Sequence, residues 1–288
     1  MAAQNVTPGT NRYSMAELMV ICMARVLSGE EEKRGGGGAN AIIPLAAGRL
    51  AQLTTAPNLW LGTGGAGSMN GKFDRLPLGT WDPSCDARAE CKNYMMDVVD
   101  SAIRGRKQGT RMSFASIAGL GGMQIDQYGN SNMVGIPATG TGGGGKTHLK
   151  VRGPGTVGTI WLGSGPTANY TEHHSKRIFV ERVAYRSGAG WLEGGGSRHA
   201  TLDGRDGPPY CWTPICVCDY TEDDHRMRLV SVHPGYTVQD VIDNTGFKLV
   251  IEGEVPQTTP PTDWELTVLR TQVDRAGRLR KRRVTVGE

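Results

Sequence analysis

A chain of 288 residues is long enough to bury a full core, as one large α/β domain or two small ones. Its formal charge of +4 is mild; it favours anionic ligands weakly and does not point to nucleic acid. Glycine is plentiful at 42 residues, about twice ordinary usage, but the glycines gather between apolar runs, which argues for a loop-rich globular enzyme and against a fibre or a disordered chain.

No basic segment followed by an unbroken apolar one opens the chain, and no stretch approaches the ~18 apolar residues of a membrane helix. A soluble, cytoplasmic protein with reduced thiols is therefore expected. Cys85-x5-Cys91 and Cys211-x4-Cys216-x-Cys218 are not zinc spacings, and Cys22 stands apart, so no metal is expected.

In chain order, residues 1–12 read as a loose tail. Ser14-Met-Ala-Glu17 is a capping box, and Met15, Leu18, Met19, Cys22 and Val26 fall at helical spacing before Gly29 at the C′ position. This predicts a helix with one buried face. Gly35-Gly-Gly-Gly-Ala-Asn40 then runs into a second apolar helical segment, residues 41–53. Such a loop is either an anion cradle or a flexible turn. Pro57-Asn-Leu-Trp-Leu61 reads as a buried strand ending in Gly62-Thr63-Gly64-Gly65-Ala66-Gly67. Residues 68–93 read as a long loop and residues 95–103 as a helix, followed by Arg104-Gly-Arg106-Lys107, cations suited to phosphates or to a solvated helix end.

The most distinctive stretch is Gly119-Leu-Gly-Gly122-Met-Gln124-Ile-Asp126-Gln-Tyr128-Gly129-Asn130-Ser-Asn132-Met133. Glycine and Asn after a strand allow positive φ and close backbone approach, and three uncharged amides (Gln124, Asn130, Asn132) gather there. This is an ordinary turn or a grip for a polar, amide-rich ligand. Gly142-Gly-Gly-Gly145-Lys146-Thr147 lacks the strand-before, helix-after context of a phosphate loop, and no ATP site is expected. A second glycine loop, Lys150-Val-Arg152-Gly153-Pro-Gly155-Thr-Val-Gly158, follows. His173 and His174, adjacent on a strand, point to opposite faces and suit an interface or polar core. Thr237 caps a helix with Val238, Val241 and Ile242 as its buried stripe, ended by Gly246. Thr262-Asp-Trp-Glu265 is another capping box, opening a helix through Val268 and Leu269. The six cations within residues 275–283 read as a solvated tail, without aromatic platforms for nucleic acid.

The run from Gly121 to Asn132 resembles the GA-Q-ID-YGN-N signature of the class I CoA-transferase family, in the branch of glutaconate-type β subunits. Two further runs agree in order: Tyr170-Thr-Glu-His-His-Ser-Lys-Arg-Ile-Phe-Val-Glu to Gly190, and Ser231-Val-His-Pro-Gly-Tyr-Thr-Val-Gln-Asp-Val-Ile to Phe247. The pattern Ala56-Pro-Asn-Leu-Trp-Leu-Gly-Thr-Gly-Gly-Ala66 is similar to the β subunit of the actinobacterial, CoA-transferase-like hydrolase branch that opens the last steroid ring. The resemblance implies an α/β fold with an open, mostly parallel sheet and flanking helices. It implies one domain over residues 13–272, flanked by a tail at 1–12 and a basic tail at 273–288.

By the same resemblance the chain is a β subunit paired with a homologous α subunit, as a heterodimer or α2β2 heterotetramer, acting on an acyl-CoA with no cofactor beyond the substrate's own coenzyme A. Transferases of the family carry an attacking glutamate at the strand tip, where this chain has Gly62. No catalytic residue is therefore expected in this chain, and the glutamate is expected from the α subunit. Substrate contacts are expected at Gly62, Thr63, Gly64 and Gly65, at Gly122, Gln124, Asn130 and Asn132, and at Gly153, Gly155 and Gly158, whose amides would face the thioester oxygen. Hydrolytic C–C cleavage of a cyclic keto acyl-CoA in steroid-ring degradation is the leading expectation. CoA transfer between acids, and a non-catalytic scaffold, are the alternatives.

Overall fold

The computed structural model describes residues 12–27, 36–38, 41–62, 68–71, 73, 75–79, 82–92, 94, 113–116, 124–138, 148–155, 163 and 166–288. The helix expected at 95–103, the cations after it, the glycine run before Lys146, and Thr63, Gly64, Gly65, Gly122 and Gly158 lie outside them.

Helix α1 (Met15–Leu27) opens as its capping box dictates: Glu17 N donates to Ser14 Oγ at 3.2 Å and Ser14 N to Glu17 Oε2 at 2.8 Å. The single buried face is corrected, because α1 is buried nearly all round, Ala16 to Met23 included. After β1 (Gly36–Gly38), α2 (Ile42–Leu53) packs on it. The glycines expected to form a loop instead begin as a strand, β1 pairing in parallel with β2 (Trp60–Gly62). Strands β3 (Ser68–Met69) and β4 (Cys91–Lys92), separated by the short α3 (Ser84–Ala87), complete an antiparallel flank.

The largest sheet among the described residues runs β15-β14-β13-β10-β5, from β5 (Ser113–Ser116) at one edge. Strand β10 (Thr167–Tyr170) pairs in parallel with β5 and with β13 (Cys211–Trp212), whereas β14 (Cys216–Tyr220) and β15 (Met227–Val232) continue antiparallel. The α/β fold stands, and its sheets are mixed and divided. A small sheet joins β6 (Gln124–Asp126), β7 (Ser131–Asn132) and β12 (Phe179–Val180), and a ribbon joins β8 (Gly135–Pro137) to β9 (Leu149–Arg152). Helices α4 (Ser197–Thr201) and α5 (Val238–Asn244) lie before and after β13–β15. Thr237 caps α5 through a box with Asp240, but only Val241 of the expected stripe is fully buried, and Ile242 is exposed.

Helix α6 (Asp263–Val268) opens at the Thr262–Glu265 box and continues as a π-turn, Leu269–Val273. Its Leu266, Val268, Leu269 and Val273 enter the cluster built on α1 and α2. Three ion pairs fasten it there among the described residues: Arg12 to Asp263, Arg25 to Glu265 at 2.7 Å, and Arg270 to the buried Glu17 at 2.8 Å.

The solvated tail expected at 275–283 is also corrected. Leu279 and Val284 are buried, and β16 (Thr285–Val286) pairs in parallel with β11 (His173–His174). Arg282 grips the buried Glu172 with both arms, at 2.7 and 2.8 Å, while Tyr170 donates its hydroxyl to the same carboxylate. Leu279 and Val284 are the apolar anchors of this docked segment, while Arg275, Arg280, Lys281 and Arg283 stay exposed. His173 meets the Thr285 hydroxyl, and His174 stacks on Phe179 with ring centroids 4.1 Å apart, the polar-core role expected of the pair. All six cysteines are free thiols. No helix among the described residues is long and apolar enough to cross a membrane.

Candidate functional site

The signature folds as a tight hairpin. Asp126 and Asn130 close it, Asp126 N donating to Asn130 O at 3.0 Å, with Gly129 at φ +71° between them. Glycine is required there twice over: the left-handed φ disfavours a side chain, and a Cβ would strike Tyr220 and crowd Asn169. The Asp126 carboxylate accepts from Tyr128 N and Asn130 N at 3.0 and 3.1 Å, an Asx-type turn. Burial pushes its pKa above the ordinary carboxylate value, against the opposing pull of Asn130 and the turn amides.

Asn130 is fully buried and fully engaged. Its Nδ2 donates to both Asp126 oxygens and to Leu192 O, and its Oδ1 accepts from Gly190 N and Leu192 N. Gly190 lies against this turn so closely that a Cβ there would collide with the backbone of Tyr128, Gly129 and Asn130. From the other side the buried Arg198 donates to the carbonyls of Ala189 and Gly190, both at 2.6 Å. Asn132 is likewise complete: Nδ2 donates to Gln124 Oε1 and Gly135 O, and Oδ1 accepts from Val134 N and Gly135 N.

The ligand-gripping role expected of Asn130 and Asn132 is therefore corrected, since every hydrogen-bonding position of both amides is held by the protein itself. Gln124 differs. It is half-buried at the sheet edge, its Oε1 is held by Asn132 and by Ala184 N at 3.0 Å, and its Nε2 has no protein partner among the described residues. Asn132 thus orients Gln124, while Asn130 holds the turn of the hairpin.

The oxyanion role expected of Gly153 and Gly155 meets a similar correction. Their N–H groups donate to Val134 O at 2.8 Å and Met133 O at 2.9 Å, which ties the glycine loop to the hairpin and leaves neither amide free for a thioester. The structure therefore gathers Gln124, Asn130, Asn132, Gly153 and Gly155 into one body around the signature. Gly62 lies in another sheet, half-buried at the end of β2, bonded in register to Gly38 and Met69. Its backbone carries no side chain, and the residues that follow, Thr63-Gly64-Gly65-Ala66-Gly67, include no carboxylate.

Sequence reasoning missed Arg198, the Glu172–Arg282 pair and a cleft at Arg49. The ion pair and the cleft depend on partners from separated stretches of the chain, and Arg198 on carbonyls seven to nine residues away. The local trace at Arg49 and Arg198 was a charged residue among mostly apolar or small neighbours.

The sequence model of the coenzyme A transferase family matches residues 100–244. The chain is 31% identical over 260 residues to the β subunit of a 3-oxoadipate CoA-transferase of Pseudomonas knackmussii, covering 90% of this chain and 92% of that one. It is 29% identical over 286 residues to a cholesterol ring-cleaving hydrolase IpdB subunit of Rhodococcus jostii, covering 94% and 96%. Its fold superposes on glutaconate coenzyme A-transferase from Acidaminococcus fermentans with a TM-score of 0.79 at 23% identity, over 92% of this chain and 96% of that one. With a hairpin signature, a glycine-tipped strand and end-to-end matches of this kind, the chain belongs to the coenzyme A transferase family.

Proposed function

We propose that this chain is the β subunit of a two-component acyl-CoA enzyme that opens a cyclic keto acyl-CoA by hydrolytic C–C cleavage, as in steroid-ring degradation. The observation that carries the reading is the bare tip of β2, where Gly62 and the glycine-rich residues after it offer no carboxylate. Covalent transfer of CoA needs a carboxylate that forms an anhydride and then a thioester. A glycine cannot supply one.

In this reading the glutamate comes from an α subunit and acts as base toward water. This chain forms the opposite wall, with Gly62 to Gly65 allowing close approach of the thioester. Gln124 Nε2 is the side-chain donor turned toward the acyl group, and Asn130 and Asn132 are positioning residues behind it. The reaction uses no cofactor beyond the coenzyme A of the substrate. The end-to-end likeness to a ring-cleaving hydrolase subunit supports this reading.

A second reading, transfer of CoA between carboxylic acids with the nucleophile on the partner, is favoured by the likeness to a 3-oxoadipate CoA-transferase subunit. One experiment separates them. The co-expressed α/β complex is incubated with acyl-CoA and labelled acetate. With a cyclic keto acyl-CoA as substrate, hydrolytic C–C cleavage gives a ring-opened acid that keeps its CoA thioester and no acetyl-CoA, whereas labelled acetyl-CoA supports transfer. A borohydride-sensitive glutamyl thioester on this chain would remove both readings.

A further inference from the structure

The parallel pair β1–β2 has two ends, and the chemistry above concerns only the one at Gly62. At the other, before β2 begins, a cleft of about 430 Å³ opens between the last turn of α2 and the segment leading into β2. That size falls in the range of small-molecule sites. Its lining is mostly polar: Arg49 and Gln52 from α2, Asn58 at the rim beside Pro57 and Leu59, then Asn70 and Glu90 across from them.

Arg49 sets the chemistry of the cleft. Its Nη1 donates to Gln52 Oε1 at 3.1 Å, and its Nε is buried with no hydrogen-bond partner among the described residues. Burial lowers the guanidinium's pKa, and no carboxylate offsets that effect. Gln52 is itself fixed, its Nε2 donating to Leu59 O at 2.7 Å and Asn70 Oδ1 at 3.2 Å, so the guanidinium is held by a held amide. Glu90 accepts from Asn70 Nδ2 at 3.2 Å on the far wall. A half-buried guanidinium fork without a counterion among the described residues matches a planar or tetrahedral oxyanion, and Glu90 disfavours a second negative group at the opposite end.

We propose that this cleft binds a small oxyanion, a carboxylate or phosphate group, through Arg49 with Asn58 as a second donor, on a ligand whose other end is uncharged. Asn70 ties the wall of the cleft to the middle of β2. Its Oδ1 accepts from Leu61 N at 2.8 Å and its own N donates to Leu61 O at 2.7 Å, immediately before Gly62. The inference does not depend on the reaction proposed above.

The test is a titration of the full chain with inorganic phosphate and, separately, with lactate, followed by thermal unfolding and calorimetry at ionic strength matched with chloride. At least one of the two should raise the unfolding midpoint saturably, and the anion that does so identifies which chemistry the cleft takes. R49M keeps the packing of the stem and should lose at least tenfold in affinity; R49K keeps the charge without the fork and should lose less. If R49M does not fold, R49K and N58A carry the comparison, each binding more weakly than the parent. No saturable response to either anion, or equal responses in the parent and the Arg49 variants, overturns the proposal.

Discussion

At the scale of single residues, the chain places uncharged polar groups where charge would be costly. His233 is fully buried, its Nε2 at 3.0 Å from Thr213 O and its Nδ1 at 2.9 Å from Thr258 Oγ1. A carbonyl only accepts, so Nε2 carries the proton and the neutral ring is complete when Thr258 donates to Nδ1. Burial, with the nearby His174 adding to it, lowers the His233 pKa from 6.5 to about 4. The unfolded ring takes up its proton near pH 6.5 and the folded ring only near 4. Its contribution is therefore fully present above about pH 6.5, is lost as pH falls through that window, and is constant below it. At most roughly 3 kcal/mol is at stake. Urea unfolding of the parent and of H233Q at several pH values between 7.5 and 4 checks this: the parent should lose stability across the window more steeply than the variant.

The element scale shows what the sequence makes legible. All three capping boxes are local, each a hydroxyl and a carboxylate three residues apart, and those at Ser14 and Thr262 are legible directly in the sequence. The degree of burial is not, because it depends on what comes back from far along the chain. A stripe of Met15, Leu18, Met19 and Cys22 predicts one apolar face, yet α1 also buries its other sides against α2 and the segment of α6. The signature hairpin is likewise locatable in the sequence but not orientable: the spacing of Gln124, Asn130 and Asn132 gathers three amides without saying that two of them turn inward to Gly190, Leu192 and Gly135. At β16 the docking pair gives a quantitative expectation. R282M leaves the Glu172 carboxylate buried beside Tyr170. It should cost about 2 kcal/mol, less than the ~3–5 of a wholly buried pair, because Arg282 keeps about a third of its side chain in water. The double variant E172L/R282M should recover most of that loss, as chemical denaturation of both would show.

For the whole molecule, the two hydrophobic clusters divide the labour. One unites α1, α2 and β2 with the returning segment after residue 262, and the other lies under the signature hairpin and β13–β15. The family fold was legible from the hairpin because the side chains of its residues are bonded to backbone and to one another within the chain, so their identities are fixed by that geometry. The cleft at Arg49 was not, since its walls come from four separated stretches. Removing everything after residue 262 should strip Leu266, Leu269, Val273, Leu279 and Val284 from the first cluster. The truncated chain is expected in the insoluble fraction, whereas the full chain with R282M remains soluble, and a fractionation assay of both distinguishes loss of the core from loss of one ion pair.

The all-round burial of α1 has a consequence for synthesis. Its outer side is covered by residues that leave the ribosome more than 230 positions later, a delay of roughly 12 to 50 s at ordinary elongation rates. Throughout that interval the first cluster lacks Leu266, Leu269, Val273, Leu279 and Val284, so the nascent chain is a natural client for a holding chaperone, and slowing translation should raise its yield of aggregates.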